Sequence, residues 1–204
     1  MGRKENKIQR WTSYSLGIVF FTLYSYDLTS SPIDHHQERF EDIAIKIWEY
    51  AELGYLEEKS SSLLQQELKD NGFTIQSGVA GIPTAFIAEY NNNGPIIGIL
   101  GEFDALPGLS QQNVPFKTAE GLNSANGHAC GHHLFGAASA WAVVAIKEWL
   151  EESGTPGTIR FYGTPAEEGG SGKVYIARDG FFDDVDIVLH WHPASGNSAD
   201  AQSS

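Results

Sequence analysis

The chain has 204 residues, 41% of them hydrophobic, 12% aromatic and 19% charged, the balance of a globular domain able to bury a core rather than of a disordered chain. Thirteen Lys and Arg stand against twenty-six Asp and Glu, and four of the bases (Arg3, Lys4, Lys7 and Arg10) lie in the first ten positions, so from residue 11 onward nine bases face twenty-five acids. Such a body repels phosphate backbones and anionic surfaces, which argues against a nucleic-acid partner and against stable membrane association of the body.

The first residues combine a basic start with the apolar run Leu16 to Tyr24, flanked by Ser and Thr. The run is short for a transmembrane helix and fits the apolar region of a signal peptide, so residues 1–31 are expected to form a leader and the protein to be exported or periplasmic; without that leader it would be cytoplasmic. Residues 32–204 carry the periodic patterns of a folded domain.

Phe40, Ile43, Ala44, Ile47, Trp48 and Ala51 recur at helical spacing and predict a helix ending near Gly54. Ser60 to Ser62 predict the N-cap of a second helix carrying Leu63, Leu64 and Leu68, stopped by Asn71-Gly72. Strands are expected at Phe73 to Val79 and Thr84 to Tyr90, a turn at Asn91 to Gly94, and a buried strand at Ile96 to Leu100. A long helix follows from about Gly131 to Glu152, with Leu134, Ala138, Trp141, Ala142, Ala145 and Trp149 on one face. Thr158 to Tyr162 then reads as a strand, Ser171 to Arg178 as a short helix and Asp186 to His190 as a strand. This alternation predicts an α/β fold with a largely parallel sheet flanked by helices.

In parallel sheets ligands gather beyond the carboxyl ends of the strands. Here those ends are followed by Gly101-Glu102-Phe103-Asp104, by Gly163-Thr164-Pro165-Ala166-Glu167-Glu168, and by His190-Trp191-His192-Pro193. The only cysteine lies in Gly127-His128-Ala129-Cys130-Gly131-His132-His133, at the amino end of the long helix, where the helix dipole is expected to favour thiolate. One cysteine cannot make an intrachain disulfide, and a buried structural thiol is the plain alternative. A lone histidine is more often a surface or core group than a ligand, and a Glu-Glu pair more often a solvated face. Convergence favours the metal, because five of the seven histidines and the one cysteine fall at a single sheet edge. His35 and His36 stay outside it.

Other motifs fail. Gly169-Gly170-Ser171-Gly172-Lys173 looks like a phosphate loop, but Glu167 stands where the first glycine should be and Val174 follows the lysine. No Gly-x-Gly-x-x-Gly follows a strand, and no Gly-x-Ser-x-Gly elbow is present.

The segment from Ile99 to Gly108, the Gly-His-Ala-Cys-Gly-His block, Pro165 to Gly170 and Trp191-His192-Pro193 together resemble the metal-dependent amidohydrolases of the aminoacylase and carboxypeptidase G superfamily, and within it the group of p-aminobenzoyl-glutamate hydrolase subunits. The resemblance runs from about residue 35 to the end of the chain. It implies a hydrolase with two divalent metal ions, manganese or zinc. By this resemblance Cys130, His132 and Glu168 bind metal, Glu167 is the general base, and Asp104 orients a metal-bound imidazole. The last ligand is His190 or His192, with His192 favoured because the p-aminobenzoyl-glutamate hydrolase group has its histidine directly before the proline. His133 departs from the Asp that many relatives have there.

The implied activity is hydrolysis of the amide of an N-acyl or N-aroyl amino acid, p-aminobenzoyl-glutamate-like. The alternatives are a dipeptidase of the same superfamily and a non-catalytic metal-binding fragment or subunit. Relatives add a lid and dimerisation domain after about this point, so the chain resembles their amino-terminal part. That part is expected to be inactive alone, and the full-length protein to be a homodimer or hetero-oligomer acting on a small amide or dipeptide.

Overall fold

The computed structural model describes residues 34–116 and 125–199; the leader expected over 1–31 lies outside them. Among the described residues no helix is long and apolar enough to cross a membrane.

Helix α1 (Gln37–Tyr50) buries Phe40, Ile43, Ala44 and Ile47 and ends at Ala51, whose left-handed backbone (φ 41°) still donates its N–H to the Ile47 carbonyl. Helix α2 (Glu58–Asp70) starts before the serines expected to cap it. The cap comes from an upstream carboxylate instead: Glu52 accepts the N–H groups of Lys59 and Ser60 at 3.0 and 2.9 Å and the Ser60 hydroxyl at 2.8 Å. This leaves Ser60 and Ser61 buried, and Ser61 donates to the Thr84 carbonyl.

Strands β1 (Thr74–Ser77), β2 (Phe86–Asn92), β3 (Ile96–Gly101), β4 (Gly157–Gly163) and β5 (Ile187–Leu189) form one sheet in the order β1-β2-β4-β3-β5. The sheet is mixed rather than largely parallel. β3 runs parallel to β4 and β5, whereas β2 is antiparallel to both β1 and β4. The reason lies in the turn after β2. Asn93 and Gly94 both take positive φ and reverse the chain, but β4 occupies the place between β2 and β3, so the turn reverses direction without closing a hairpin.

Successive strand residues alternate between two cores. Phe86, Ile99, Ile159 and Phe161 face α1, α2 and α3 (His132–Ser153), while Ile87, Leu100 and Tyr162 pack with Val79, Ile82 and Ile176 of α4 (Gly172–Arg178). Each fully buried side chain of this size contributes roughly 1.5–3 kcal/mol. The face expected for α3 holds only in part: Ala145 is buried and Trp141 packs against the first core, but Leu134 and Trp149 are exposed, and the most deeply buried residues include Phe135, Ala137, Ala140, Val143, Val144 and Leu150. α3 is apolar around most of its girth because it touches both cores, Phe135 reaching the second. It also crosses close to the sheet edge, since a Cβ on Gly136 would lie 2.6 Å from the Glu102 carbonyl oxygen.

Candidate metal centre

The three mutually parallel strands end at one edge, and each hands its loop to the same place. β3 leads into Glu102 and Asp104, β4 into Glu167 and Glu168, β5 into His190 and His192, and α3 begins at His132 just after Cys130. His132 is the hub. It is fully buried, with Nδ1 2.9 Å from Asp104 Oδ1 and Nε2 2.9 Å from Glu102 Oε2 and 3.9 Å from Glu167 Oε2. Nearby, Cys130 Sγ lies 3.3 Å from His192 Nε2. Two donor groups follow, Cys130 with His132 and His192, and Glu102 with His132 and Glu167, each with its ligand atoms within 4.8 Å of one another.

The Asp104 carboxylate is divided between the start of α3 and the loop after β4, its Oδ2 accepting the Glu168 N–H at 3.0 Å. It therefore sets both the imidazole and the Glu-Glu turn. Glu168, expected as a ligand, falls in neither of the two donor groups, although its carboxylate helps to raise the Cys130 thiol. The structure thus brings His192, not His190, to the cysteine; His190 Nε2 lies 3.6 Å from Glu102 Oε1 instead. The segment holding both is seated on aromatic packing. Phe135 meets the rings of His190, Trp191 and His192 edge-on, with centroids 5.0, 5.5 and 6.2 Å away, and Trp191 donates to Ser139 Oγ at 2.9 Å.

Sequence reasoning placed Glu102 at the rim but gave it no role. It is buried, between His132 and Lys173, whose ammonium pairs with its Oε1. Its signal was a carboxylate directly after an apolar strand, two positions before Asp104.

Burial disfavours the charged His132 ring, but Asp104 and Glu102 outweigh it and lift the pKa to about 10. Burial also opposes the Glu102 carboxylate, yet His132 and Lys173 hold it at about 2. The expectation for Cys130 is corrected: burial and the carboxylates of Glu168, Glu167 and Glu102 push its thiol up to about 11, overriding the helix end. Surroundings that disfavour a bare thiolate are those that favour a bound cation. His128 is neutral scaffold, lowered to about 4 by burial, with Nε2 3.0 Å from the Ile47 carbonyl it can donate to. His133 is likewise lowered to about 4, burial again being the main cause.

The residues fit a metal. His132 Nε2 and Glu102 Oε2 are both buried and lie 2.9 Å apart without an aligned hydrogen bond, so a ring nitrogen and a carboxylate oxygen converge as donor atoms that a cation would satisfy. Sulfur, nitrogen and carboxylate oxygen together are donors suited to a divalent transition-metal ion.

The model of peptidase family M20/M25/M40 matches residues 98–203. The chain is 46% identical to a p-aminobenzoyl-glutamate hydrolase subunit of Escherichia coli, over 82% of this chain and 35% of that protein. It is 33% identical to the Xaa-Arg dipeptidase of Homo sapiens, over 82% and 38%. Among solved structures the YXEP protein of Bacillus subtilis, described as a dinuclear metal-binding peptidase, superposes with a TM-score of 0.67 at 25% identity, over 79% of this chain and 44% of that one. The chain spans between a third and two fifths of the length of these curated relatives. With the family model covering more than half of its residues and a metal-type donor cluster inside the match, the chain belongs to peptidase family M20/M25/M40.

Proposed function

We propose that the protein hydrolyses the amide bond of an N-acyl or N-aroyl amino acid, of the p-aminobenzoyl-glutamate type, with manganese or zinc bound at the sheet edge. The observation that carries this reading is the convergence of Cys130, His132, His192, Glu102 and Glu167 within two overlapping donor groups. Similarity to the p-aminobenzoyl-glutamate hydrolase subunit supports the substrate class. The same relative's designation as a subunit supports assembly into a hetero-oligomer, and a homodimer is the other arrangement the reading allows.

Cys130, His132, His192 and Glu168 would hold the metals, with Glu102 beside His132. Bound divalent ions supply a water of lowered pKa and polarise a carbonyl. Glu167 is nearly half exposed, with its carboxylate open to the edge, and acts as the general base: it accepts the proton of the attacking water and returns it to the leaving nitrogen. Asp104 keeps His132 in one orientation and tautomer.

The test is elemental analysis of the full-length gene product together with an amide panel. The panel holds p-aminobenzoyl-glutamate, benzoyl-glycine, N-acetyl amino acids and dipeptides ending in arginine. Bound manganese or zinc with cleavage of the aroyl amino acids supports the proposal. Cleavage of the arginine dipeptides alone would move the reading to a dipeptidase, the activity named for a second relative. Absence of metal and of all amide hydrolysis would overturn it.

A further inference from the structure

We infer that Glu57 is a positioning residue for Glu167, acting from outside the donor cluster through the backbone of Ala166; this rests on the reading of Glu167 as general base. Glu57 is completely buried although it lies 109 positions from the loop it serves. Its Oε1 accepts the Ala166 N–H at 2.8 Å, and its Oε2 lies 3.0 Å from Thr84 Oγ1.

Ala166 needs such a partner. Its φ of 58° puts a residue with a Cβ into the left-handed region, which is unfavourable and persists only where the surroundings enforce it. Three contacts do so. The Glu57 carboxylate fixes the N–H, the Gly170 N–H fixes the carbonyl at 2.9 Å, and Gly54 packs so closely that a Cβ there would lie 2.9 Å from Ala166 Cα and Cβ.

The consequence falls on the next residue. The two peptide N–H groups flanking that of Glu167 are each taken by a buried carboxylate, that of Ala166 by Glu57 and that of Glu168 by Asp104. Glu167 hangs between these two tethers with an otherwise exposed side chain. The segment that carries Glu57 also holds the other loop, since Ala105 donates its N–H to the Glu52 carbonyl at 2.8 Å and Leu53 bridges to Ala105. Tyr55 adds a hydrogen bond to the Gly170 carbonyl at 2.5 Å. Residues 52–57 thereby set the spacing between the Asp104 loop and the Glu167 loop. Loss of one tether would let the general base wander while leaving the metal ligands in place.

The test compares Glu57→Ala, Glu57→Gln, Glu167→Gln and the double variant Glu57→Ala/Glu167→Gln in the full-length gene product, reading kcat, KM, metal content and melting temperature. Glu57→Ala is expected to lower kcat by about 10- to 100-fold, the scale of an ångström-sized misplacement, with KM and metal content held. Glu57→Gln restores most of the activity, because its amide oxygen accepts from Ala166 and its NH2 group donates to Thr84. The double variant is expected to be no slower than Glu167→Gln. If Glu57→Ala does not fold, Glu57→Asp, which shortens the reach by one methylene and keeps the charge, takes its place. Full activity in Glu57→Ala, metal loss in step with activity, or an additive loss on top of Glu167→Gln would each overturn the inference. A fully active Glu167→Gln would instead overturn the general-base reading.

Discussion

Asp104 and His132 form a buried pair in which one carboxylate oxygen holds the imidazole Nδ1 at 2.9 Å while the other is committed to the next loop. The pair fixes which ring nitrogen is left to face the donor cluster. Asp104→Asn keeps the size but loses the charge that makes the ring a better ligand, so metal affinity should fall by about 10- to 100-fold. Metal titration with a competing chelator checks this; unchanged affinity would mean that His132 is oriented by something else.

Glu167→Gln separates binding from chemistry. The amide cannot take a proton, so turnover should drop by roughly two orders of magnitude or more while metal content stays at the level of the unsubstituted protein. Steady-state kinetics with elemental analysis of the same sample reads both, and unchanged turnover would remove Glu167 from the mechanism.

Glu57 gives the fold a pH dependence of known sign. Burial is the main cause of its raised pKa of about 7, against an ordinary 4.5, with the Ala166 and Thr84 hydrogen bonds opposing it. A carboxyl whose folded pKa is raised stabilises the fold while protonated, fully below pH 4.5, and that contribution is lost as pH rises through 7. At about 1.4 kcal/mol per pH unit the loss is on the order of 3 kcal/mol. Denaturant unfolding at about pH 4.5 and about pH 8 should therefore show a smaller pH-dependent loss for Glu57→Gln than for the unsubstituted chain, and equal losses would contradict the burial argument.

Gly136 is the contact point between α3 and the Glu102 loop. A methyl group there would meet the Glu102 carbonyl oxygen at 2.6 Å, so Gly136→Ala should destabilise the fold by about 1–3 kcal/mol through overpacking. A melting temperature at or above that of the unsubstituted protein would show that the helix can shift without cost.

What the sequence made legible was whatever depends on near neighbours. Cys130 and His132 sit two residues apart, Glu167 and Glu168 are adjacent, and His192 precedes its proline, so the first pair could be placed at the amino end of a helix and the others beyond the carboxyl ends of strands from the sequence alone. Glu102 and Glu57 were harder to assign because their meaning lies in partners 30 and 109 positions away. The exposed Leu134 and Trp149 misled the reading of α3 for a different reason: a helix in contact with two cores has no single apolar stripe to find. The antiparallel half of the sheet was hidden likewise, since β2 carries no local mark of which neighbour it will meet. The α2 cap escaped because Glu52 closes the helix from outside it.

In the proposed site Cys130, His132 and His192, whose donor atoms lie within 4.8 Å of one another, share a metal ion. X-ray absorption spectroscopy of the zinc-loaded protein tests it most directly. The expected spectrum has one sulfur scatterer at about 2.3 Å together with nitrogen and oxygen at about 2.0–2.2 Å, with the sulfur shell lost in Cys130→Ser. A spectrum with no sulfur shell, or one unchanged by that substitution, would contradict it.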